Sequence, residues 1–147
     1  MSADIHHLGK DLFLIVLDPP ISGFQDFIGA WLVRQSGAAC LVDAGPAATA
    51  GQLIEALTSL GVHDLDYICL THIHMDHAGA VGHLARHFEN ARVVWHPRGS
   101  THLVDPERLW QATVKTLGDT GLAYGRMLPV DVERLATDVQ LRSAPFR

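Results

Sequence analysis

Positive charge is scarce in this 147-residue sequence: 11 Lys and Arg stand against 16 Asp and Glu, a formal net charge of -5 with His neutral. No run of Lys or Arg exceeds two residues. Nucleic acid is held by clustered cations that neutralise phosphates, so it is not an expected partner. An anionic membrane surface is disfavoured for the same reason. Apolar runs fall well short of the ~20 residues that a membrane-spanning helix needs. Met1 to His7 show no basic stretch followed by an apolar core, so no secretory signal is expected and a cytoplasmic address follows. There are only two cysteines, Cys40 and Cys69, too few to define a disulfide scaffold. Both sit in apolar runs, as buried reduced thiols do. A disulfide would require their strands to be neighbours.

What is present describes a globular chain. Hydrophobic residues make up 48% and charged residues 18%, ordinary values for a folded domain. A single domain of this length buries about 68–70% of its unfolded surface. No repeat, low-complexity tract or linker divides the sequence.

Three apolar segments near the start predict strands: Leu12 to Leu17, ended by Asp18-Pro19-Pro20; Phe27 to Val33; and Ala39 to Asp43, stopped by Ala44-Gly45-Pro46. Gln35-Ser36-Gly37 suits a hairpin turn. The period then changes. Ala50, Leu53, Ile54, Leu57 and Leu60 recur at helical spacing, with Gly61 as a stop. Leu65 to Leu70 predicts a strand, Ala78 to Phe88 a helix, and Arg92 to Trp95 a strand. Asp105-Pro106 opens a further helix, with Asp as cap and Pro at the first position, ending near Gly118. A short helix or turn is expected from Leu128 to Asp131, and a strand from Ala136 to Leu141. Early antiparallel pairing followed by parallel crossovers is the topology this order implies.

Histidine is the compositional anomaly: of ten, eight lie between His63 and His102. The densest part is Thr71-His72-Ile73-His74-Met75-Asp76-His77, where a buried strand gives way to a helix. In an extended segment, residues two apart project to the same side, so His72 and His74 can converge on one ion. Asp76 and His77 follow at the helix start and reach the same cavity from another direction. Gly79 lets the backbone pack closely. Imidazole nitrogen and carboxylate oxygen suit Zn²⁺, Mn²⁺ or Fe²⁺.

The string Thr-His-x-His-x-Asp-His resembles the signature of the metallo-β-lactamase superfamily, which includes glyoxalase II-like thioesterases, lactonases and phosphodiesterases. The likeness extends to Leu41-Val42-Asp43-Ala44-Gly45, Leu60-Gly61-Val62, Tyr67 to Thr71, Ala78-Gly79-Ala80, His96 to Gly99 and His102 to Pro106, and so to roughly residues 12–135. It implies an α/β fold: the N-terminal portion of a metallo-β-lactamase αββα sandwich, a mixed sheet with helices on one face, in one truncated domain over residues 1–147. It also implies roles. His72 and His74 would bind a first metal, and Asp76 and His77 a second. Asp76 would also orient the nucleophile or shuttle a proton. Asp43 and Thr71 would orient the ligands, the bland alternative for Asp43 being a strand-end turn carboxylate. The cofactor would be one or two Zn ions, or Fe or Mn. The reaction would be attack of activated water on a small-molecule ester, thioester, lactone or phosphoester.

The later ligands of the family, a His in a Gly-His loop, a bridging Asp and a final His, have no counterpart after His77. His96 and His102 are candidates to substitute, against plain readings as a strand-end and a loop residue. His83 and His87 share a helix face, which reads as solvated. The alternatives are a non-catalytic fragment or metal-binding or interaction protein, and an iron enzyme similar to persulfide dioxygenases. Half a sandwich would leave one apolar sheet face uncovered, so a homo-oligomer is expected to cover it. Sedimentation should show a dimer or larger species, and a compact monomer at high concentration would contradict this.

Overall fold

Along residues 12–17, Phe13, Ile15 and Leu17 are buried while Leu12, Leu14 and Val16 between them are half-buried. A period of two marks a strand with one face in the core. The computed structural model describes residues 2–136 and places this strand in a six-stranded mixed sheet. Strands β1 (Asp4–His7), β2 (Leu12–Leu17), β3 (Ile28–Gln35), β4 (Ala38–Val42), β5 (Tyr67–Cys69) and β6 (Arg92–Val94) lie side by side in chain order. The first four pair antiparallel, and β4, β5 and β6 pair parallel, which is the split that the element order predicts.

Strand β1 is the addition. Its four residues hold a single apolar side chain, Ile5, too little to signal a strand locally. The segment is ordered by its partner, with Ile5 opposite Ile15 of β2. The β3–β4 hairpin turns through Ser36 (φ 54°) and Gly37 (φ 81°). Positive φ at both central residues is the turn that matches strand twist.

Helix α1 (Ala50–Ser59) buries Ala50, Leu53, Ala56 and Leu57. Gly61 ends it at φ 75°. There the Val62 N–H donates to the Leu57 carbonyl and the Gly61 N–H to that of Thr58, both at 2.9 Å, a glycine-terminated closure of the last turn. The single helix expected over Ala78 to Phe88 is instead two, α2 (Met75–Ala78) and α3 (Val81–His87). The break has a cause: the His77 carbonyl accepts from the N–H groups of Ala44 (2.7 Å) and Gly45 (3.1 Å), and the Ala80 N–H donates to Gly45 at 2.9 Å. These tertiary bonds compete with helix continuation.

Three further helices follow: α4 (Ser100–Val104), α5 (Glu107–Leu117) and α6 (Asp119–Ala123). Helix α4 was not expected, and it moves His102 from a loop onto a helix. Helix α5 begins one residue later than the Asp105-Pro106 pair implies. Pro106 precedes the first turn, while Asp105 Oδ1 accepts from the Glu107 N–H at a long 3.4 Å. Gly118 ends α5 at φ 56°. The expected turn after Leu128 is a short 3₁₀ segment at Val132–Arg134. Leu135 then bridges Val93 in parallel. The strand expected from Ala136 to Leu141 lies, past Ala136, outside the described residues.

Helices α1 and α3 press Leu53, Leu57, Val81, Leu84 and Phe88 onto Phe13, Ile15, Leu32, Leu41, Ile68 and Val93 of the sheet. Each fully buried side chain of this kind is worth roughly 1.5–3 kcal/mol. On the opposite sheet face, Leu14, Val16 and Val33 are half-buried and Trp31 is 37% exposed. The helical layer thus covers one face. Arg134 closes the end of α3, its guanidinium donating to the carbonyls of Ala85, Phe88 and Ala91. Among the described residues no helix is long and apolar enough to cross a membrane.

The α2–α3 break rests on Gly79. A Cβ there would stand 2.3 Å from the Met75 carbonyl oxygen and 2.7 Å from the Ala47 nitrogen, both backbone atoms that cannot swing aside. Gly79→Ala should therefore destabilise the fold by about 1–3 kcal/mol, read as a lower urea midpoint. An unchanged midpoint would contradict the packing.

Candidate metal centre

The parallel strands β4, β5 and β6 end on the same side of the sheet. Their C-terminal ends lead into Asp43, into Thr71 to His77, and into Trp95-His96. In α/β sheets this is where ligands bind, because the chain leaves the sheet there and opens a crevice.

Asp43 is the pivot. It is 5% exposed and adopts φ 60°, a left-handed conformation that Asp tolerates better than most residues. Its own N–H is held by the Cys69 carbonyl at 2.8 Å, which tethers β4 to β5 one residue past their last pair. The carboxylate receives the Thr71 N–H at 2.8 Å, the Thr71 hydroxyl at 2.8 and 3.0 Å, and His77 Nδ1 at 2.9 Å. Thr71 Oγ1 also stands 2.9 Å from His72 Nδ1.

Proton counting then fixes the rings. An ionised carboxylate only accepts, and a hydroxyl has one proton to give. With the Thr71 proton directed at Asp43, His72 must donate its Nδ1–H to Thr71. His77 likewise donates its Nδ1–H to Asp43. Each ring therefore keeps its Nε2 lone pair for a cation, the tautomer being assigned by the network. His77 Nε2 lies 3.6 Å from Asp76 Oδ2.

One ligand atom each from His72, Asp76 and His77 falls within 4.8 Å of the others. Two ligands of a tetrahedral zinc at about 2.1 Å stand about 3.4 Å apart, so the widest pair closes on an ion when each side chain moves by up to about 0.7 Å. The donor types fit Zn²⁺, Mn²⁺ or Fe²⁺. His74 stands outside the trio, but its ring meets that of His72 edge-on at a centroid separation of 4.9 Å. The rings of His72 and His77 are 4.2 Å apart. Partial burial pushes the His72 pKa below the usual imidazole value, and the neighbouring imidazoles of His77 and His74 add to this against the pull of Asp43 and Asp76. His72 is thereby kept neutral, the form a metal requires.

His96 and His102 do not join the trio among the described residues. Both line a cavity of about 350 Å³ next to His72, together with Ile73, Trp95 and Arg98. His96 Nδ1 accepts from the Arg98 N–H at 3.3 Å, so its neutral ring carries the proton on Nε2 and offers a donor there. The solvated-face reading fails for His83, which is half-buried on α3 with an Nδ1 that has no partner among the described residues. Burial, then Arg86, lowers its pKa. His87 is exposed. The two cysteines do sit on neighbouring strands, as free thiols with Sγ atoms 3.4 Å apart.

Tyr124 joins the site without any sequence motif to mark it. It packs under α2 with Met75, Ala78 and Met127. Burial, and then the negative charge of Asp76, raise its pKa above the usual phenol value. Nothing in its local sequence signals this, since Met75 and Ala78 lie more than forty positions earlier.

Residues 25–143 match the family model described as the metallo-beta-lactamase superfamily. A hydroxyacylglutathione hydrolase of Aeromonas salmonicida is 41% identical over 63 residues, 43% of this chain and 23% of that protein. The uncharacterized protein YobT of Bacillus subtilis is 34% identical over 73 residues, 50% of this chain and 31% of its own. The chain thus spans less than a third of the length of these curated relatives. Among solved structures, an archaeal metallo-beta-lactamase superfamily protein of Sulfolobus tokodaii superposes with a TM-score of 0.72 at 24% identity, covering 87% of this chain and 48% of the other. A subclass B3 metallo-beta-lactamase from a soil metagenome library gives 0.59 at 22% identity, with 70% and 36% covered. At these identities the structures speak to the fold.

The brace makes a spectroscopic prediction. Long-range ¹H–¹⁵N correlation of the metal-free protein should show His72 and His77 as Nδ1–H tautomers, with His72 titrating below 6.5. An Nε2–H form of His77 would contradict the network. Thr71→Val, which leaves Asp43 short of a donor, should cost about 1–3 kcal/mol in chemical denaturation.

Proposed function

This chain belongs to the metallo-beta-lactamase superfamily, and on that premise we propose that it acts as a metal-dependent hydrolase of a small-molecule ester, thioester, lactone or phosphoester. The observation that carries the reading is the Asp43–Thr71 brace, which aims two imidazoles so that His72, Asp76 and His77 gather within 4.8 Å. An accidental cluster of surface histidines would have no buried carboxylate fixing its tautomers. The likeness to a hydroxyacylglutathione hydrolase supports an acyl substrate among these classes.

His72, His74, Asp76 and His77 would hold one or two ions of the zinc type. When bound, such an ion supplies a Lewis acid and lowers the pKa of water to about 7. The chain's own residues do the rest. The Asp76 carboxylate, at the mouth of the cavity that it shares with His74, accepts a proton from water and orients it toward the substrate carbonyl or phosphoryl centre. Asp43 and Thr71 keep the rings of His72 and His77 from rotating as charge develops. Tyr124 lines the same cavity.

Purified without chelator, the protein should carry one or two equivalents of zinc, iron or manganese per chain by elemental analysis. It should turn over a generic ester or thioester. Asp76→Asn should lower kcat/KM by about 10²–10⁴-fold, with circular dichroism unchanged. Bound metal without turnover of any of the four substrate classes would support a metal-binding protein instead. The absence of both metal and turnover would overturn the reading.

A further inference from the structure

We propose that the cavity between the His74–Asp76 segment and helix α5 receives an extended apolar acyl chain of the substrate. This rests on the hydrolase reading above and narrows it to acyl substrates with a hydrocarbon arm. The cavity has a volume of about 400 Å³ and opens directly onto two candidate ligands, His74 and Asp76. A group lodged in it therefore lies against Asp76 of the trio and against His74.

The far wall is one stripe of α5. Leu109, Thr113, Thr116 and Leu117 are spaced i, i+4, i+7 and i+8 and share a helix face. Such a stripe ordinarily seals itself into a core. Here no residue of α5 is buried, and Leu117 is 46% exposed. The stripe faces an opening. The two threonines do not make the wall polar, because their hydroxyls already donate along the helix. Thr113 Oγ1 bonds the Leu109 carbonyl at 2.9 Å, and Thr116 Oγ1 bonds that of Ala112 at 2.8 Å. Among the described residues no Lys or Arg lines the cavity. An anionic arm would find no partner there, and a cationic one would find only the carboxylate needed at the centre. Apart from His74, Asp76 and the Tyr124 phenol, the lining is apolar or internally bonded threonine, an apolar body with few placed polar atoms being the usual form of a small-molecule site. Met75, next to the ligands, adds an adaptable thioether floor.

The test uses the protein as purified with its metal, and a series of p-nitrophenyl esters from acetate to decanoate. kcat/KM should rise about fourfold per added methylene until the cavity is full. In parallel, calorimetry with the matching carboxylates, butyrate to decanoate, should show affinity rising with chain length. Ala112→Trp projects an indole into the cavity from an exposed turn of α5 and should flatten both slopes. Lys115→Trp, on α5 but outside the lining, should keep them, and circular dichroism verifies that both variants fold. Turnover of acetate with no chain-length slope, or a slope that survives Ala112→Trp, would overturn the acyl-chain site while leaving the hydrolase standing. Chain-length-dependent carboxylate binding without turnover of any ester would overturn the hydrolase reading and leave the apolar site in place.

Discussion

A buried carboxylate in a left-handed turn is an expensive thing to build, and much of the centre's geometry hangs from one. Asp43 sits 5% exposed at φ 60° just past the end of β4. It is tolerable there only because four contacts compensate its burial: its N–H on Cys69, and its oxygens on the Thr71 amide, the Thr71 hydroxyl and His77 Nδ1. Remove these partners and the group becomes an unpaired charge in the interior, whose cost runs to several kcal/mol. The same bonds that make Asp43 affordable set the tautomers of His72 and His77. Stability and metal readiness are therefore one interaction seen from two sides.

The surrounding backbone is built to keep that carboxylate in place. Ala44 and Gly45, which follow it, donate to the His77 carbonyl, and Gly45 accepts from Ala80. Gly79 allows the α2–α3 break to press against Pro46 and Ala47. The loop after β4 and the loop after β5 are thus laced together by main-chain bonds, which do not depend on side-chain rotamers. Rigid elements position a site more closely than loops do, and here two loops acquire that rigidity from each other.

The sequence made some of this legible and concealed the rest, for physical reasons. The ligand string from Thr71 to His77 could be read because its partners are local, with alternation and a helix start bringing them together. Five of the six strands and the change from antiparallel to parallel pairing were readable from periodicity alone. Strand β1 was not, because Ile5 is its only apolar residue and its order comes from β2. Helix α4 was hidden by its five-residue length. The division of the Ala78 to Phe88 helix follows from tertiary bonds to Ala44 and Gly45, which no window of sequence contains. Asp43 was suspected as a brace from resemblance, but its link through Thr71 to His72 required coordinates. Tyr124 and the α5 wall meet the motif only in space. The α5 stripe is amphipathic in sequence, and its incomplete burial shows that it borders a cavity.

Whether the Asp43 brace governs metal binding is tested directly by a zinc titration. Isothermal calorimetry of Zn²⁺ into the metal-free protein should give a dissociation constant about 10–100-fold tighter than in Asp43→Asn, a substitution that keeps the left-handed backbone accessible and the shape nearly constant. Affinity that is the same in the two proteins, with both folded, would contradict the claim that this carboxylate prepares the histidines for their ion.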